Sequence, residues 1–231
     1  EISCSLVGSE MCIRDRPGWN KSGFNDISWK PVVVQEAPKG KLLPQQAEPV
    51  KIMKYFDVKS VNKLSIDEVR SACKSMKREV DPSALVFDMG QNLAGFPEIS
   101  LRGKRGQKVT LVVGESLTEE GAVNQKQTGR QHYYQYTLKG EENEVWHPRF
   151  SYYGFRYIQV EGAVLKDNDN SGGLPVINKL RSCFVYNSAS SVGKFECSNR
   201  IFNSAHTLIN RAVRSNCLLY TSNAADDRIS V

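Results

Sequence analysis

Carboxylates and aromatic rings are the residues of this chain best suited to chemistry. Glu115, Glu119, Glu120, Glu141, Glu142 and Glu144 lie close together in the sequence, enough to supply a general acid and a general base. Cleaving a glycosidic bond needs two such groups facing each other at roughly 5 to 10 Å across a sugar, and sequence spacing does not show which of them face. Glu115 is distinctive because it ends the apolar run Val109 to Val113; the others sit among loop residues and read as solvation. Tyr133, Tyr134, Tyr136, Trp146, Phe150, Tyr152, Tyr153, Phe155 and Tyr157 form a second concentration, alongside Arg130, Arg149 and Arg156. Such rings can stack on sugar faces or on bases. Phe150 to Val160 is apolar on both faces of a pleat, however, so a central strand buried on both sides is the favoured reading.

Other signatures are missing or incomplete. There is no GxSxG, no Walker loop and no HExxH, and His132, His147 and His206 are not spaced as ligands. No metal site and no cofactor are expected. Asp167, Asp169, Ser171 and Gly172 match the first half of a calcium loop, but Asn178 stands where a bidentate Glu is required and Pro175 interrupts it. A polar surface loop is favoured. Arg102 to Gly106 (RGKRG) lies between two strands, where a hairpin turn fits better than a phosphate cradle, which needs a helix N-terminus. The formal charge of +6 raises a basic nucleic-acid binder as a third reading. The excess is scattered in pairs such as Lys39/Lys41, Lys77/Arg78 and Lys104/Arg105 among carboxylates, so no nucleic-acid partner is expected.

The elements that would position these residues are mainly strands. Ser65 and Glu68 have capping-box spacing, and Ile66, Val69, Cys73, Met76 and Val80 repeat along one helix face until Asp81 and Pro82 stop it. Strands are predicted over 84–89, 93–101, 108–115, 132–138, 150–161 and 176–187, separated by glycine-rich turns. Short alternating strands of this kind predict an antiparallel β-sandwich with one short helix before it. Ser198 is placed to cap a final helix in which Ile201, Phe202, Ala205, Leu208, Ile209, Ala212 and Val213 form one stripe. Residues 17–50 read as the irregular end of an earlier domain and a linker, with Trp19 and Trp29 needing something to pack on.

The 231 residues, 40% hydrophobic and 24% charged, suit a globular chain, and no apolar stretch approaches the roughly 18 to 20 residues of a membrane span. The two ends read differently. Met11 to Arg16 (MCIRDR) and Cys217 to Ser222 (CLLYTS) can be encoded by strings that are nearly reverse complements. That is the expectation for one oligonucleotide translated on opposite strands, and it resembles a sequencing-library adapter. Residues 1–16 and 217–231 are therefore expected to be foreign. Of the six cysteines, Cys73, Cys183 and Cys197 remain, too far apart for a disulfide framework or a CxxC motif.

Several motifs together resemble one family. Val86 to Phe96 (VFDMGQNLAGF), Arg102 to Glu115 (RGKRGQKVTLVVGE), Tyr136 to Gly140 (YTLKG), Val145 to Phe150 (VWHPRF) and Tyr153 to Gly162 (YGFRYIQVEG) follow the order seen in bacterial α-L-rhamnosidases. Gly193 to Asn203 (GKFECSNRIFN) is similar to the entry into that family's catalytic domain, and Gly18 to Lys30 is similar to a segment of its N-terminal domain. The resemblance implies a concanavalin-like (jelly-roll) β-sandwich over 51–190, preceded by the end of an N-terminal domain over 17–50. Residues 191–216 would begin a truncated six-hairpin α/α barrel. It also implies a parent glycosidase that removes terminal non-reducing α-L-rhamnose from glycans or glycosides with inversion, using one acid and one base. Those carboxylates would lie beyond Asn216, so none of the catalytic residues is expected within the chain, and the isolated chain is expected to be inactive. The implied partners are a rhamnose-containing substrate and the catalytic barrel in cis. Periplasmic or extracellular export is what the resemblance implies for the parent, with no leader to read. The alternative is a non-catalytic carbohydrate-binding β-sandwich module, with no sugar-contacting residue assigned.

Overall fold

In the computed structural model, residues 18, 21–31, 33–36, 39–41, 43–44, 48–65, 67–71, 81–126, 128 and 132–216 are described. The adapter-like segments 1–16 and 217–231 lie outside them, as do Trp19, Ile66, Cys73, Met76, Val80 and Arg130. Strands dominate: β1 Val50–Asp57, β2 Ser60–Lys63, β3 Leu85–Arg102, β4 Lys108–Gly114, β5 Ser116–Leu117, β6 Val123–Asn124, β7 Tyr133–Thr137, β8 Glu144–Trp146, β9 Tyr153–Glu161, β10 Val164–Leu165 and β11 Val176–Asn187. A terminal helix, Arg200–Asn216, follows them. Among the described residues no helix is long and apolar enough to cross a membrane.

The main sheet runs β1-β11-β3-β9-β4-β7 and is antiparallel along this path. It curls into a concanavalin-like sandwich because β3 serves two neighbourhoods. Its first half pairs with β2 and β9, and its second half with β11 and β8. The strand can do this because its apolar residues face the interior on both sides of the crossing: Leu85, Phe87, Met89, Leu93, Ile99 and Leu101 all join one core with Val109, Leu111, Val113, Phe155, Ile158 and Val160. The opposite face of the central strands is also covered. Val86 and Val112 pack there with Leu64, Val69, Ala122 and Val123, and buried Gln159 accepts from Val123 N–H at 3.0 Å and donates to Glu161 at 2.7 Å. The second half of β9, Ile158 to Glu161, is thus buried on both faces, as its sequence predicts, whereas Tyr153, Gly154, Arg156 and Tyr157 in its first half stay partly or fully exposed.

The capping box forms: Ser65 N–H donates to Glu68 Oε2 (2.6 Å) and Glu68 N–H to Ser65 Oγ (3.3 Å), with helix described over 67–71. Five expectations need correction. The segments predicted as 84–89 and 93–101 are one strand, interrupted by a bulge in which Met89 to Asn92 stand opposite the single residue Arg156. Residues 50–63, where the sequence predicts no strand, form β1 and β2; β1 edges the sheet along β11, and Asn187 Nδ2 reaches back to Glu48 O at 2.9 Å. Arg102 to Gly106 is not a hairpin, because β3 and β4 are separated by β9; it arches between them with Gly106 at φ 87°. The strand predicted from Phe150 begins at Tyr153, leaving Phe150 fully exposed at φ 58°. Finally, the helix cap is Asn199 rather than Ser198: its Oδ1 accepts from Ile201 N–H at 2.9 Å.

Candidate functional site

The bulge in β3 is built from Asp88. Arg156 of β9 donates to both its carboxylate oxygens, Nε to Oδ1 at 2.9 Å and Nη2 to Oδ2 at 2.7 Å. Gly90 N–H adds a third bond to Oδ1 at 2.7 Å, possible in this tight geometry because Gly90 sits at φ 77°. By residue type, Gln91 and Asn92 are suited to satisfying turn amides. Asp88 does that for Gly90 instead, and Asn92 points elsewhere, its Nδ2 donating to Glu115 Oε1 at 2.8 Å.

Glu115 follows directly on β4 and faces a cleft of about 530 Å³ lined by Gln91, Asn92, Glu115, Tyr152 and, from the terminal helix, Arg211 and Ser215. Gly154, at the start of β9, makes room for it. A Cβ there would stand 3.1 Å from Glu115 Oε1. The terminal helix forms the far wall, with Arg214 over the Tyr186 ring of β11 at 5.4 Å. Three motifs distant in sequence, the bulge, the end of β4 and the start of β9, therefore meet at one surface. The sequence singles out Glu115 and gives Asn92 a turn role, but it shows neither their pairing nor the place of Arg211, since no local pattern joins positions brought together only by the sheet and the helix.

The other acids do not join it. Glu144 is buried and accepts from Tyr136 OH (2.5 Å) and the N–H groups of Lys139, Gly140 and Glu141 (2.9, 2.7 and 3.0 Å), so it closes the turn before β8. Glu141 lies 4.0 Å from Lys139 Nζ. Glu120 accepts from Ser71 Oγ at 2.8 Å, and the nearby Thr118 hydroxyl, followed by its own backbone and Ser71, lowers its pKa. Among the described residues Glu115 is the one carboxylate lining the cleft. An inverting glycosidase needs a second across the sugar, and among the described residues the cleft does not carry such a pair.

The remaining candidates pack. His132 stacks on Tyr153 with centroids 4.1 Å apart, and burial lowers its pKa. His147 stacks on Phe96 and His206 tilts against Phe195. Tyr134, Tyr136, Trp146 and Phe155 are core residues, whereas Tyr133, Phe150 and Tyr152 are exposed. Asp169 accepts from Ser171 N–H (3.1 Å) and Asn170 bonds Leu174 through both amide atoms, so the calcium-like loop is held by its own side chains. Burial pushes the Cys183 thiol up to about 12, which makes it inert at neutral pH. Trp29 has its packing partner in Phe24, at 5.4 Å between centroids.

Comparison with known proteins decides the family. The bacterial alpha-L-rhamnosidase concanavalin-like domain matches residues 78–186, and the alpha-L-rhamnosidase N-terminal domain matches residues 9–54. The chain belongs to the bacterial α-L-rhamnosidases. An α-L-rhamnosidase of Formosa agariphila is 28% identical over 196 residues, 82% of this chain and 18% of that protein. One from Streptomyces avermitilis is 27% identical over 237 residues, 99% of this chain and 20% of that protein. The solved structure of the α-L-rhamnosidase from Dictyoglumus thermophilum superposes with a TM-score of 0.69 at 27% identity, covering 88% of this chain and 20% of that one. The chain thus spans about a fifth of the length of the curated rhamnosidases it matches. The cleft lies partly inside the matched concanavalin-like domain, through Asn92, Glu115 and Gly154, and partly outside it, through Arg211.

Proposed function

We propose that this chain is the non-catalytic concanavalin-like module of an α-L-rhamnosidase, and that the parent enzyme removes terminal α-L-rhamnose from glycans or glycosides with inversion. Two rhamnosidase domains matched in order support the assignment, and the cleft carries it further: its one carboxylate, Glu115, lacks the partner that inversion requires. The general acid and general base then belong to a barrel following Asn216, and residues 191–216 lead into it. In this arrangement the sandwich is the rigid partner. Its core is continuous across β3, β9, β4 and β11, and the terminal helix lies on its flank.

The test compares two polypeptides. The parent protein should release free L-rhamnose from an aryl α-L-rhamnoside with inverted anomeric configuration, followed by proton NMR during the first turnovers. The purified chain should release none above a matched blank. Turnover by the chain alone would overturn the assignment of the acid and base to the barrel, and a parent that fails to cleave any α-L-rhamnoside would overturn the activity.

A further inference from the structure

The bulge of β3 is an interruption that the sheet itself does not need. Four residues, Met89 to Asn92, stand opposite Arg156 in the middle of an 18-residue strand, and ladder bonds are forgone there. Bulges of this kind re-aim side chains and are enriched beside functional sites. Here it turns Gln91 and Asn92 into the cleft, and the Asp88–Arg156 pair holds it open. Asn92 orients Glu115 with a single hydrogen bond, and a carboxylate has about four lone-pair directions, so acceptor capacity remains.

The lining selects a class of ligand. Glu115 disfavours an anion and Arg211 disfavours a cation, which leaves an uncharged molecule. Carboxylate and primary amides together accept and donate, as hydroxyl groups do, and the half-exposed ring of Tyr152 offers an apolar face to a sugar ring. The volume of about 530 Å³ lies within the roughly 300–1,000 Å³ usual for small-molecule clefts. We propose that this cleft binds a neutral pyranose unit of a glycan, with Glu115 accepting from its hydroxyls, Asn92 and Gln91 bonding alongside, and Tyr152 against the ring. Only the choice of rhamnose as a probe rests on the rhamnosidase reading.

The full 231-residue chain should be titrated by isothermal calorimetry and two-dimensional NMR with L-rhamnose, α-L-rhamnosyl-(1→6)-D-glucose and D-glucose. D-Glucose is included so that a site for another sugar still registers if the rhamnosidase reading fails. Saturable binding of any one of them is expected, with shifts centred on Asn92, Glu115 and Gly154. Glu115→Gln should weaken it about tenfold, the loss of a charge-assisted hydrogen bond, and Gly154→Val should abolish it by displacing the carboxylate. Glu115 is exposed, so its variant should keep the parent melting temperature, which separates lost binding from lost folding. Absence of saturable binding for all three sugars would overturn the proposal, as would binding that Glu115→Gln leaves unchanged.

Discussion

Asp88 is held at one point by three donors, two from Arg156 and one from Gly90. The Arg156 hydrogen bond is the largest cause lowering its pKa below the ordinary carboxylate value, assisted by Gly90 and opposed by partial burial. A lowered folded-state value means that Asp88 stabilises the fold fully above its unfolded value of about 4, and that this stabilisation is lost as pH falls through the lower folded value. Arg156 is 40% exposed, so solvent screens the pair, and the charge-assisted geometry is worth about 1–2 kcal/mol rather than a buried pair's larger figure. Asp88→Asn should therefore lower unfolding stability by about that amount at pH 7. Urea titrations at pH 7 and pH 3 check it: the gap between parent and variant should shrink at pH 3, and a gap that stays constant would show that charge is not the cause.

At the scale of elements, legibility follows burial pattern. β4 and β9 are readable because their apolar residues alternate or run continuously against two cores. β1 escapes because almost every residue of VKIMKYFD is exposed, so no period marks an edge strand whose register comes from β11. The interruption in β3 is visible in Gly90 to Asn92, but as a chain break rather than a bulge, because only the pairing with β9 distinguishes the two. Gly95, in the same motif, is a point of close backbone approach. A Cβ there would fall 1.9 Å from the Cys183 carbonyl oxygen, backbone that cannot yield without parting β3 from β11. Gly95→Ala should cost about 3 kcal/mol or more, measured by chemical denaturation. Cys183 supplies a second reading: buried and inert in the parent, it should become alkylated in the variant under native conditions, as mapped by mass spectrometry. Unchanged stability and an unreactive Cys183 would refute the close-approach argument.

For the whole molecule, the structure divides into a sandwich that buries its apolar residues and a helix that does not. No residue of Arg200–Asn216 is buried, and Ile201, Phe202, Leu208 and Ile209 are 60–75% exposed. What fastens the helix is sparse: the Asn199 cap and Asn203 bridging both backbone groups of Cys197 at its start, and Arg214 over the Tyr186 ring of β11 near its end. A helix of 17 residues with little tertiary burial is marginal by itself, since most helical stability in proteins comes from packing an amphipathic face. Local opening should then be far cheaper than global unfolding. Hydrogen exchange on the full chain should find the amides of 204–216 opening orders of magnitude faster than those of β3, β4 and β9, whose protection should follow global stability. Leu208→Glu should leave the urea midpoint of the sandwich unchanged. Helix amides as protected as the central strands, or a lowered midpoint in Leu208→Glu, would mean instead that helix and sandwich fold as one cooperative unit, and the wall of the Glu115 cleft would then be as permanent as its floor.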